Sequence, residues 1–158
     1  MPLDVSSSYC DPFQGNGAGA ISWIQPTRWH ITHRCHKRAF LLKFARGRRR
    51  WMEWLYQAKK RYRDLSVLDY MVTSNHIHLL VFDNGRNVIP DSIKLVAGRT
   101  GQEYNIRKNK KGAFWQDRYH ATAVESNRHL HQCIACIDMN MVRAGVVDHP
   151  KEVGMLRL

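Results

Sequence analysis

Thr73-Ser74-Asn75-His76-Ile77-His78-Leu79-Leu80-Val81 is the stretch from which the rest of the chain can be read. Residues two apart in an extended strand point to the same face, so His76 and His78 project together while Ile77, Leu79 and Val81 fall on the other side. The stretch therefore predicts a strand that buries one face in a core and presents two imidazoles on the other. Two neutral imidazoles on one strand face make half of a divalent-metal site. A half-buried strand with two incidental histidines gives the same pattern, because His-x-His is short. The neighbouring sequence has to separate these readings.

Immediately upstream, Ser66 to Val72 is a second strand candidate, and the short Thr73-Ser74-Asn75 link implies an antiparallel pair. Further back, Trp29-His30-Ile31-Thr32-His33 alternates as a half-buried strand, the first of the domain. Arg34 to Lys43 connects it to a helix over about Arg46 to Tyr62, where Trp51, Leu55, Ala58 and Tyr62 recur at spacings of three and four. Downstream, Asp83-Asn84-Gly85 marks a turn and Pro90 suits the first position of a helix whose inner stripe is Ile93, Val96, Ala97, Thr100 and Tyr104. Gly98 and Gly101 weaken that helix locally. Trp115 to Val124 contains Tyr119, Ala121 and Ala123 in alternation and reads as a fourth strand.

The order strand, helix, strand, strand, helix, strand predicts an α+β, ferredoxin-like fold: an antiparallel sheet with helices on one face and the other open for a site. A last helix follows. Ser126 suits its N-cap and Gly145 its end. At 100° per residue, Leu130, Ile134, Ile137 and Met141 cluster on one side, and His129, Cys133, Cys136 and Asn140 on another. Packing is expected of the first face; the second carries either ligation or nucleophilic chemistry or, in the plainer alternative, a solvated His129 and Asn140 beside two semi-buried packing cysteines.

The chain has 158 residues, which suits one domain, and 25 Lys+Arg against 13 Asp+Glu give a net charge of +12. Such a balance points to a polyanionic partner, nucleic acid first. The basic residues cluster at Arg48, Arg49 and Arg50, at Lys59, Lys60 and Arg61, and at Lys108, Lys110 and Lys111, with Arg118 beyond. Interleaved Trp51, Trp54, Tyr56 and Tyr62 suit stacked bases as well as phosphates, although a charged helix face can also be merely solvated. Residues 1–22 read as a loose leader and 23–158 as the domain. Neither a membrane span nor a signal peptide is indicated, so a cytoplasmic protein is expected. Four cysteines are too few for a disulfide scaffold.

With these parts in place the sequence resembles the single-tyrosine HUH transposases, specifically the REP-associated and insertion-sequence-200-like branch. The matching blocks are Ser74 to Leu80, Phe114-Trp115-Gln116-Asp117-Arg118-Tyr119-His120-Ala121-Thr122, and Ile137 to Val147, together with Trp29 to Arg34. The likeness covers about residues 27–150. It implies an enzyme that nicks single-stranded DNA beside a hairpin and strand-transfers it, using a tyrosine that becomes joined to the 5′ phosphate and leaves a 3′ hydroxyl. It further implies a divalent ion, magnesium or manganese, held by His76, His78 and, on the nucleophile's helix, Asn140. Monomers and homodimers are both open.

The resemblance places the nucleophilic tyrosine at the position of Cys136. A cysteine sulfur reaches less far than a phenol oxygen, and a misplacement of 1 Å can cost about 10²-fold in rate. A thiolate, with a pKa of about 8.5, also leaves phosphorus more readily than a sugar alkoxide, so an attacked phosphate would collapse back. Tyr104 and Tyr119 are the alternative nucleophiles, both in surroundings where tyrosine is structural. The ending Val153 to Leu158 also lacks the tryptophan and further residues with which relatives continue, as in a truncated or repurposed copy. The competing reading is a non-catalytic binder of structured single strands. A third, zinc on His129, His131, Cys133 and Cys136, is disfavoured because His131 lies off the helix face of the other three.

Overall fold

The computed structural model describes residues 27–84, 88–143 and 148–149. Four strands, β1 (Thr27–Arg34), β2 (Leu65–Val72), β3 (His76–Asp83) and β4 (His120–Val124), form one antiparallel sheet in the order β2-β3-β1-β4. Helices α1 (Ala45–Arg61), α2 (Val88–Lys108) and α3 (Asn127–Arg143) complete the α+β fold. The predicted element order is the observed one. The leader, Gly145 and the final segment lie outside the described residues.

Alternation along the strands creates two hydrophobic bodies. On one face Trp29 and Ile31 of β1 and Ile77, Leu79 and Val81 of β3 pack against Trp51, Leu55 and Ala58 of α1 and Ile89, Ile93 and Val96 of α2. On the other, Met71, Leu80 and Val124 meet Cys133 and Ile137 of α3. Helices therefore cover both faces, and the face expected to be open carries α3. Beneath α2, Gly101 lets the helix approach Phe114: a Cβ there would lie 3.2 Å from the Phe114 Cβ.

Two boundaries and one helix face sharpen the sequence reading. Helix α2 starts at Val88, so Pro90 is its third residue, within the first turn where a missing N–H costs nothing. The last strand begins only at His120, because Trp115 makes an isolated bridge to Cys35 instead. The inner stripe of α3 includes Cys133, which is 6% exposed, so for this cysteine the packing alternative holds and the chemical one does not.

Candidate functional site

β3 is held at its start by a closed turn. Thr73 donates its hydroxyl to the His76 carbonyl and accepts the His76 amide, both at 3.0 Å, while the Thr73 amide donates to the same carbonyl at 2.9 Å. This fixes the register that turns His76 and His78 to the α3 side. In β1 the facing residues are Arg34 opposite His76 and Thr32 opposite His78.

Helix α3 is anchored at its other end. The Ser126 hydroxyl caps it by accepting the His129 amide at 3.1 Å, as its sequence position predicts, and Arg28 of β1 donates to the Asn127 side-chain oxygen at 3.0 Å. So fixed, the helix brings the Asn140 Nδ2 to 3.4 Å from the Nε2 of His78, across 62 residues of sequence. Cys136 stands one turn earlier on that side of the helix and is half-buried.

The second nitrogen of His78, Nδ1, lies 3.2 Å from the Nε2 of His30, and the two rings stack with centroids 5.4 Å apart. The His76 and His78 rings are 4.4 Å apart. Burial pushes His76 down to about 4, helped by the charge of Arg34, and holds His78 well below the usual imidazole range. His30 is lowered as well, by burial and by His129. These rings are neutral at pH 7, the form that binds metals.

Among the described residues no group of three or more His, Cys, Asp or Glu side chains is arranged to hold a metal ion. The polar side chain that approaches the two histidines from α3 is the Asn140 amide, and two imidazoles with an amide are donor types that suit a divalent cation. The zinc reading fails physically, since Cys133 is enclosed by Met71, Leu80, Val124 and Ile137.

The sequence-predicted basic residues go elsewhere. Arg48, Arg49, Arg50, Lys59, Lys60 and Arg61 ride on α1, on the far side of the sheet from His78. Arg48 donates to the carbonyls of Leu42 and Lys43, closing the turn into the helix. Arg50 donates through Nε and a terminal nitrogen to both Glu103 oxygens, at 2.8 and 2.5 Å, and also pairs with Glu53, so it clamps α1 to α2. Arg49, Lys59, Lys60, Arg61, Lys108, Lys110, Lys111 and Arg118 are exposed. Arg49, Arg61 and Arg99 line a groove with Trp54 and Tyr56.

Closer to the histidines are cations that the sequence reading did not single out: Arg34, and Lys37 and Arg38 in the turn after β1. Both turn residues are exposed with left-handed φ of 50° and 56°, and Asn75 donates to the Arg38 carbonyl at 3.1 Å. His30 was also missed, although its alternation with Thr32 signalled the correct face.

No tyrosine among the described residues stands on the α3 side. Tyr62, Tyr70, Tyr104 and Tyr119 pack against the larger core, and Tyr56 is exposed on α1. Burial pushes the Tyr119 phenol up.

Two solved structures share this α+β fold. One is a REP-associated tyrosine transposase bound to a REP hairpin, 17% identical, covering 87% of this chain and 79% of that one with a TM-score of 0.63. The other, a Deinococcus radiodurans R1 protein described as a transposase, is 16% identical and covers 78% of this chain and 95% of that one with a TM-score of 0.50. The profile of the family "Transposase IS200 like" matches residues 25–138, and the chain belongs to that family. No curated protein matches it. None of the helices among the described residues is long and apolar enough to cross a membrane.

Proposed function

We propose that the protein binds hairpin-containing single-stranded DNA at the sheet face beneath α3, that His76, His78 and Asn140 hold a divalent ion there, magnesium or manganese, and that Cys136 leaves it with little or no nicking activity. The observation that carries this reading is the approach of Asn140 to His78, which joins the strand and helix halves of one donor set. The hairpin-bound relative supports the DNA class. Arg34, opposite His76, would supply a cation for a phosphate, with Lys37 and Arg38 exposed in the turn after β1.

A divalent ion bound there supplies a Lewis acid for the scissile phosphate and for the departing 3′ oxygen. The chain's own residues do the rest. His76 and His78 would offer neutral nitrogens from a rigid central strand, and Asn140, whose Nδ2 faces His78 without an ion, would offer its side-chain oxygen from α3 once the amide turns over. A nucleophile on α3 would attack phosphorus and take the 5′ phosphate while the 3′ oxygen leaves. With Cys136 in that place the reach is short and the thiolate is the better leaving group, so the reverse step wins.

Labelled hairpin DNA with manganese tests this on the native chain and on Cys136→Tyr. The native chain is expected to bind without cleaving, and the variant to form a covalent 5′-phosphotyrosyl adduct. Binding without cleavage by either protein would leave only the second reading, a domesticated single-strand binder, which the lack of any tyrosine on the α3 side among the described residues favours. Efficient cleavage by the native chain would overturn the role given to Cys136.

A further inference from the structure

His30 is not part of the proposed donor set, yet its contact with His78, at 3.2 Å, is closer than the 3.4 Å approach of Asn140. It sits on β1 opposite Leu80, two residues from the Thr32 that faces His78. In an antiparallel pair such diagonal neighbours share a face and are within reach of long side chains. The ring planes are 18° apart, so the contact is stacked as well as hydrogen-bonded.

A neutral imidazole carries one proton on two nitrogens, and here both nitrogens of His78 are engaged. Asn140 presents Nδ2, which only donates, so the Nε2 of His78 accepts and its proton must reside on Nδ1. That proton points at the Nε2 of His30, which therefore accepts, and His30 carries its own proton on Nδ1. The same tautomer leaves the His78 Nε2 lone pair directed toward Asn140.

We infer that His30 is a positioning residue: by accepting the Nδ1 proton of His78 it fixes that ring's tautomer and orientation, keeping Nε2 available as a ligand nitrogen. This rests on the metal reading proposed above for its purpose, though not for its geometry. Ligand histidines commonly have their second nitrogen held in this way, and losing the holder costs about 10- to 100-fold in metal affinity.

The test is a long-range proton–nitrogen correlation spectrum of the histidine rings, with a manganese titration followed by electron paramagnetic resonance. In the native chain without metal, His78 is expected as the Nδ1–H tautomer. His30→Phe, which keeps the stacking but cannot accept, should shift His78 toward Nε2–H and weaken manganese binding about 10-fold or more. His30→Gln, which can accept through its side-chain oxygen, should restore both. An Nε2–H tautomer in the native chain, or a His78 spectrum unchanged in His30→Phe, overturns the inference. Failure of the native chain to bind manganese overturns the metal reading alone, because the tautomer spectrum still decides what His30 does.

Discussion

Four histidines set the acid response of the fold. His33, stacked on Trp115 with its Nε2 donating to the Asp117 carbonyl, is 8% exposed, and burial pushes it down to about 4, as it does His76. His30 and His78 shift in the same direction. The unfolded chain takes up protons on these rings as pH falls below about 6.5, whereas folded His33 and His76 resist until about 4. The stability they contribute is complete above pH 6.5 and is lost progressively down to pH 4. For His33 alone the full loss is on the order of 3 kcal/mol. Urea midpoints measured from pH 7 to 4.5 should fall steadily; a flat profile would contradict this account of the buried rings.

α3 depends on few side chains for its place on the sheet. Ile137 is fully buried between Met71, Leu80 and Val124, so Ile137→Ala should cost about 3 kcal/mol. Its effect belongs to this element: amide exchange along α3 should accelerate while that of β1 and β3 changes less, and equal acceleration everywhere would show that the two bodies melt as one. The strands were legible because a period of two placed His76 and His78 opposite Ile77, Leu79 and Val81. The cap at Ser126 was legible because its signal is local. The layer occupied by α3 was not, since amphipathicity says that a helix packs but not against which face, and nothing in the sequence marks Cys133 as a buried thiol rather than a reactive one. The clamp made by Arg50 depends on Glu103, which is 53 positions away and has no local trace.

Across the whole molecule the positive charge lies on both sides of the sheet, with Arg34, Lys37 and Arg38 near the histidines and the α1 cations behind. Binding to hairpin DNA should weaken linearly on a log scale with salt. Arg34→Ala should reduce the slope by about one, as for a residue at a phosphate, while Arg50→Ala should leave it unchanged because Glu103 and Glu53 already neutralise that guanidinium. The guanidinium and the Glu103 carboxylate hold each other charged, the first pushed up and the second down. Fluorescence anisotropy between about 50 and 300 mM salt measures both slopes. Equal losses in the two variants would mean that the clamp opens on DNA.

The smaller hydrophobic body has one further consequence. A helix resting on Met71, Leu80 and Val124 is expected to detach at a lower free energy than the sheet unravels, and each such detachment would carry Asn140 away while the paired imidazoles stay behind. Whatever bridges strand and helix is then a rivet: its affinity is discounted by the time the lid stands ajar, and its arrival shuts that lid.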